Sequence, residues 1–308
     1  MTPARVGVVD LGTNSTRLLV AEVEGASVRE IDRRLHITRL GEGVDEGRRL
    51  LPEAMARVET VLGEYRRAAD VLGAERTLAI ATSAFRDAAN GEEFLRAIET
   101  TFGFATRLLS GDEEALTMFR GVACGREVSD GTLLIDVGGG STELVLGGPG
   151  GVDFHVSLDL GCVRLTERFL ASDPPAVAEL DACTACVRAL LEEGVPRDIR
   201  ASAAVGVAGT VTTLATLDLG LEEEAPDLIH GHAMATEWIA AEAGRLAAAT
   251  VAERRARPGI HHDRAPVIVA GAVVVLETLR HFGLHALEAS ERDIMHGAAL
   301  IAAETSER

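Results

Sequence analysis

Two short stretches constrain this 308-residue chain more than any other feature: Val9-Asp10-Leu11-Gly12-Thr13-Asn14-Ser15 and Ile135-Asp136-Val137-Gly138-Gly139-Gly140-Ser141. Each ends an apolar, strand-like run on an aspartate, turns through glycine and leaves on a hydroxyl residue. A second strand-like run then follows, Thr16–Glu24 in one case and Thr142–Leu146 in the other. Taken singly, either stretch reads as an ordinary hairpin, since Asp and Gly are common turn formers. Their recurrence at matching points of two similarly patterned halves reads as an internal duplication. Two domains of related build follow, and the length suits two domains of about 100–200 residues each.

The rest of the pattern alternates strands and helices. The first half continues with a strand over Ser27–Leu40, a helix over Pro52–Leu72, a strand over Thr77–Ala81, a helix over Glu92–Phe102, a strand over Thr106–Leu109 and a helix over Asp112–Ala123. Pro52 at the start and Gly73 just past the end punctuate the long helix as helix termini require. Gly125–Gly131 is polar and turn-rich, a hinge candidate that divides the chain at 1–125 and 126–308. The second half repeats the opening strands, with Asp153–Leu160 as its third. Helix Pro174–Glu193, strand Ala204–Ala208, helix Ala265–Phe282 and a last strand-helix unit over His285–Ala303 follow. The fold class is α/β, and the last helix is free to pack back on the first domain.

Composition excludes several functions. Hydrophobic residues make up 47% of the chain but aromatic ones only 3%, so the cores must be aliphatic. No run approaches the ~18 apolar residues of a membrane span. The opening Met1-Thr2-Pro3-Ala4-Arg5 runs straight into a strand, without the apolar core of a signal peptide. The expectation is a cytoplasmic protein with no membrane partner. The four cysteines are too few for a disulfide framework, and Cys183-Thr-Ala-Cys186 sits inside a helical pattern with no second pair, as ordinary buried thiols do. A net charge of −18 argues against nucleic acid. All 30 basic residues are arginine, so a Walker-type loop, which needs lysine, is excluded. Any phosphate must be held by backbone N–H groups, hydroxyls, arginines and metal.

The two turns suit that task. Glycine lets backbone approach an anion closely, Ser and Thr add donors, and an aspartate at a strand tip can hold a cation or its water shell. A third turn, Val207-Ala208-Gly209-Thr210-Val211-Thr212, offers further donors. Ser110-Gly111-Asp112-Glu113-Glu114-Ala115 reads as a capped helix start, which accounts for Asp112 and Glu113. It leaves Glu114 to point elsewhere. A carboxylate near bound phosphate is costly unless it activates water.

At this point the sequence resembles a known family. The turns at Val8–Ser15 and Leu134–Leu144, with Ala81-Thr82-Ser83-Ala84-Phe85-Arg86-Asp87-Ala88, Leu109–Ala115, Asp159–Leu165, Gly209-Thr210 and Asp263-Arg264-Ala265, are similar to the exopolyphosphatase / guanosine-pentaphosphate phosphatase family in its short, two-domain form. The resemblance implies two ribonuclease-H-like domains of the actin / sugar-kinase / chaperone ATPase superfamily with an interdomain cleft. It implies Glu114 as the water-activating base, and Asp136 and Glu143 as magnesium-associated carboxylates helped by Asp10. Thr13, Asn14, Ser15, Gly139, Gly140, Ser141, Thr142, Gly209 and Thr210 match phosphate-contacting turns, and Arg86, Arg17 and Arg264 match basic positions facing substrate. The implied cofactor is Mg²⁺ or Mn²⁺. The implied reaction is removal of terminal phosphate from polyphosphate, of short chains above all because extra C-terminal domains are missing. Guanosine pentaphosphate hydrolysis and a non-catalytic polyphosphate or alarmone sensor are the alternatives, and a homodimer is compatible. Two features depart from the family: His261-His262-Asp263 reads as a surface loop, and Ile294-Met295-His296-Gly297 replaces the usual Leu-Arg-Glu-Gly.

Overall fold

In the computed structural model, residues 3–126 and 128–304 are described. Part of the expected hinge, Glu127, and the terminal Met1-Thr2 and Thr305–Arg308 lie outside them. In chain order the elements are β1 (Ala4–Leu11), β2 (Thr16–Glu24), β3 (Ser27–His36), α1 (Val44–Gly47), α2 (Pro52–Val71), β4 (Arg76–Ala81), α3 (Ser83–Asp87), α4 (Gly91–Phe102), β5 (Ala105–Leu108) and α5 (Gly111–Ala123). There follow β6 (Thr132–Val137), β7 (Thr142–Gly148), β8 (Gly151–Leu158), α6 (Cys162–Phe169), α7 (Val177–Gly194), β9 (Ala203–Val207), α8 (Ala208–Asp218) and α9 (Pro226–Ile229). The chain closes with β10 (Ala233–Ala235), α10 (Thr236–Ala248), α11 (Val251–Ala256), α12 (Ile268–Phe282), β11 (Ala286–Ala289) and α13 (Ile294–Glu304).

These form two compact units, Met1–Glu127 with Arg292–Arg308, and Val128–Glu291. The first sheet has the order β3-β2-β1-β4-β5 and the second β10-β11-β9-β6-β7-β8. In both, the opening three strands form an antiparallel meander whose first member pairs in parallel with the next strand along the chain. This is the ribonuclease-H-like arrangement, present twice, and the duplicated turns occupy the same place in each: between the first and second strands. Valine and leucine dominate β1, β2, β6 and β7, as suits strands buried on both faces.

Strands and helices fall close to their sequence limits, with instructive differences. Strand β3 stops at His36 rather than Leu40, and the chain then folds over the first turn, where Arg39 and Gly41 donate to Asn14 O and Thr13 O. The expected third turn is instead the start of α8: Val207 is still extended, Ala208 takes a left-handed φ of 68°, and Gly209 and Thr210 lie in the first helical turn. One left-handed residue is enough to swing a strand directly into a helix. Helix α6, from Cys162, has no counterpart in the sequence reading.

In the first unit, Val9, Leu11, Leu18 and Val20 face α2, where Val58, Leu62 and Tyr65 are buried. The opposite face is covered by α13, and α5 packs against α13. These two helices cross with backbones in contact. A Cβ at Gly121 would overlap the Asp293 carbonyl, and one at Gly297 would overlap the Thr117 carbonyl. Gly297→Ala is therefore expected to destabilise the protein by about 1–3 kcal/mol, the usual range for overpacking; urea unfolding measures it, and a stability equal to wild type would refute the tight crossing.

Helix α13 is also tied electrostatically. The His296 ring, buried, places Nε2 2.9 Å from Glu30 Oε1 and Nδ1 3.6 Å from Asp293 Oδ1. Arg33 lies 3.6 Å from the same Asp293 carboxylate, and Arg17 pairs with it. Burial pushes the imidazole pKa down, but hydrogen bonding to Asp293 and Glu30 outweighs it and the net shift is upward. A raised folded value means this stabilisation is complete below the unfolded-state value near 6.5 and is lost as pH rises through the folded value. His296→Gln should therefore lower the thermal midpoint more at about pH 6 than at about pH 9. Equal losses at both would show that His296 acts by packing alone.

Candidate active site

The first unit gathers the chemistry-bearing residues of three separate motifs. Thr13 Oγ, in the first turn, is 2.9 Å from Ser83 Oγ at the start of α3. The same short helix carries Arg86, which donates to Leu109 O at 2.8 Å and to Glu114 Oε2 at 2.6 Å. Glu114 is buried at 7% exposure, on the inner face of α5. A capping box explains its direction. Ser110 Oγ accepts from Glu113 N–H, and the Glu113 carboxylate accepts from Ser110 N–H, so Glu113 is held at the rim and the next residue turns inward.

Both Gly turns share one construction. In the first, Gly12 N–H donates to Ser15 O at 3.0 Å, while Thr13 O and Asn14 O accept from Gly41 and Arg39. In the second, Gly138 N–H donates to Ser141 O at 3.0 Å, and Gly138 O and Gly139 O accept from the leading N–H groups of α6. Gly140 O accepts from Arg164 Nε at 2.8 Å. The carbonyls are thus tied down from behind. Among the described residues, the N–H groups of Thr13, Asn14, Ser15, Gly139, Gly140 and Ser141 reach no backbone acceptor. The buried Asn14 Nδ2 also has no partner. A run of unspent N–H groups forms a concavity that attracts an anion.

The second unit adds two features. A Cβ on Gly209 would overlap the Arg264 guanidinium, so this cation lies against the first turn of α8. A positive charge at the positive end of a helix is unfavourable by itself. An anion shared by the two would reverse the sign. Thr210 is buried beside Gly271, and Thr142 donates to Leu160 O at 2.6 Å, holding the chain behind the turn.

Charge differs between the duplicates. In β1–β2, Asp10 stands directly opposite Arg17; at the equivalent pair in β6–β7, Asp136 stands opposite Glu143. Asp10 Oδ2 accepts from Arg17 at 2.6 and 2.9 Å. Burial pushes the Asp10 carboxyl pKa up despite this bond, whereas Asp293, also buried, is held well below the usual carboxylate range by Arg17, His296 and Arg33. The two carboxylates share one guanidinium. Asp293 has the additional donors, including Met295 N–H, and so carries the firmer charge.

Comparison with known proteins now bears on this arrangement. Residues 19–304 match the Ppx/GppA phosphatase family. The chain is 39% identical to exopolyphosphatase 2 of Mycobacterium tuberculosis over 97% of its own length and 99% of that protein's. The chain belongs to the Ppx/GppA phosphatase family. Ppx/GppA structures share its fold: an exopolyphosphatase-like protein superposes with a TM-score of 0.91 at 33% identity, covering 98% of this chain and all of that one. The Aquifex aeolicus family member gives 0.84 at 30% identity, with 99% of each chain covered. The fold is therefore the two-domain fold of the Ppx/GppA proteins.

The Ppx/GppA resemblance raises the question of a divalent cation. Like-charged side chains directly opposite on neighbouring strands repel. Asp136 is half-buried and Glu143 buried, the latter accepting from Ser157 Oγ at 2.8 Å. A hard cation with oxygen ligands suits that pair. Among the described residues no group of three or more His, Cys, Asp and Glu could hold a metal. The donor set fits Mg²⁺, which commonly takes one or two carboxylates and completes its shell with water and phosphate oxygens. Asp10, bonded to Arg17, offers less.

Ser83, Arg164, Asp293 and His296 carried no role in the sequence reading. Ser83 and Arg164 lie within motifs already singled out; Asp293 and His296 had only the departure at residues 294–297 to signal them. For the second turn, Gly161 is decisive, since a Cβ there would overlap the backbone of Gly139 and Gly140. Gly161→Ala is expected to weaken binding of inorganic tripolyphosphate at least about tenfold, about 1.4 kcal/mol, by calorimetry. Unchanged affinity in the folded variant would remove this turn from the anion site.

Proposed function

We propose that this protein hydrolyses the terminal phosphoanhydride bond of inorganic polyphosphate. The supporting observation is the pair of Gly turns with carbonyls tied behind and N–H groups unspent. Kinship supports the substrate: exopolyphosphatase 2 is related along nearly its whole length. In this reading the turn N–H groups and Arg264 bind phosphate oxygens, and Arg86 holds the Glu114 carboxylate in one orientation. Water oxygen attacks the terminal phosphorus, its proton passes to Glu114, and the bridging P–O bond breaks. Orthophosphate and a chain one unit shorter leave. A divalent cation held by Asp136 and Glu143 would neutralise phosphate oxygens when bound. Positioning and charge stabilisation dominate phosphoryl transfer, so no covalent protein intermediate is needed.

Short chains are the favoured substrates. A long polyanion requires an extended basic track, and the net charge of −18 opposes one. Local arginines suffice for a few phosphates, since fields are screened within about 8 Å at physiological salt.

The experiment is phosphate release from short polyphosphate, long polyphosphate and guanosine pentaphosphate, for wild type and Glu114→Gln. Wild type should prefer the short chains, and the variant should keep substrate binding while turnover falls about 10²–10⁴-fold. Near-wild-type turnover in the variant would remove Glu114 from the mechanism. A kcat/KM that climbs steadily with chain length would overturn the short-chain preference.

A further inference from the structure

The departure at Ile294-Met295-His296-Gly297 begins one residue after Asp293, and Asp293 is where α13 meets the first sheet. Its carboxylate is almost wholly buried, 2% exposed, as is Asp10 at 5%. Between them lies the Arg17 guanidinium. Nε and one terminal nitrogen donate to Asp10 Oδ2, and the other terminal nitrogen donates to Asp293 Oδ2. Asp293 Oδ1 accepts from Met295 N–H at 2.9 Å, so the helix start itself fixes this carboxylate. Arg33, at 3.6 Å, supplies a second cation, and His296 stands on the other side. Arg17 is thus gripped from the strand tip and from the helix. Asp10 directly precedes the turn at residues 11–15, and any displacement of Arg17 reaches that turn through one hydrogen-bonded residue.

We propose that Asp293 is a positioning residue for the first phosphate turn: it holds the Arg17 guanidinium on Asp10 and so fixes the turn's entry strand. This rests on the functional reading above only where turnover is concerned. The role does not require Asp293 to touch substrate. It makes the C-terminal helix a part of the site's scaffold, by way of a charge rather than a packing contact.

Two measurements test it. Crystal structures of wild type and Asp293→Asn read the geometry without substrate: Arg17 should leave Asp10 or change rotamer in the variant. An Arg17–Asp10 pair unchanged in the variant overturns the proposal. The second is a kinetic double-mutant cycle on short polyphosphate with Asp293→Asn, Arg17→Met and the double variant. Asp293→Asn should lower kcat/KM about 10–100-fold, chiefly through KM, as expected of a misplaced binding element. In the Arg17→Met background the same substitution should change kcat/KM by less than about twofold, because effects that share one partner do not add. Effects that multiply would show that Asp293 acts independently of Arg17, and that also overturns the proposal. A purely structural role would lower the thermal midpoint and leave KM at the wild-type value, again overturning it. If wild type releases no phosphate from polyphosphate, the functional reading fails, and the crystallographic comparison still decides the role of Asp293.

Discussion

The first unit depends on one contact, the backbone crossing of α5 and α13 at Gly121 and Gly297. Helix α5 carries Glu114 and α13 begins at the residue after Asp293, so the crossing sets the positions of both carboxylates relative to the sheet beneath. Side chains of ordinary size would hold the helices further apart. Protein interiors are packed like solids, and such a displacement would propagate to what the helices carry. The hydrophobic faces of β1, β2 and β4 are buried, and their side chains have rotamer freedom with which to accommodate a small shift. The glycine crossing has none.

The duplication shows how one scaffold can serve two electrostatic purposes. Position for position, Asp10 corresponds to Asp136 and Arg17 to Glu143, and each pair faces across an antiparallel ladder in the same register. With arginine, the pair closes on itself and becomes structural, joined to Asp293 and the C-terminal helix. With glutamate, two like charges are left facing each other, an arrangement that a cation relieves. A single change of sign at one ladder position separates the strut from the candidate metal site. The turns beyond them share the Gly N–H to Ser carbonyl bond, and a different segment ties down the remaining carbonyls in each copy.

Much of this was legible in the order of residues. The Asp-Gly-hydroxyl stretches named both turns, and the β-branched runs flanking them named the strands, because strand burial and turn chemistry are local properties. Ser110–Glu114 also read as a capped helix start with Glu114 left to point elsewhere, and the structure adds the Ser110–Glu113 capping box and the inward direction of Glu114. The start of α8 was less legible: Gly209-Thr210 looks like a turn until Ala208 is seen in a left-handed conformation that its side chain does not advertise. Asp293 and His296 were legible only as departures from a motif. Their partners, Arg17 and Glu30, lie more than 250 residues earlier in the chain.

The sequence alone determined that the chain would form two related α/β units, with aliphatic cores, lysine-free phosphate chemistry and glycine turns at two strand ends. Those properties follow from periodicity, composition and backbone freedom, which act over a few residues. Tertiary structure decided which charges meet. It paired Arg86 with Glu114, divided Arg17 between Asp10 and Asp293, and returned the last helix to the first unit. Ion pairs form between residues brought close by packing, and no local pattern records a contact whose two ends are separated by most of the chain.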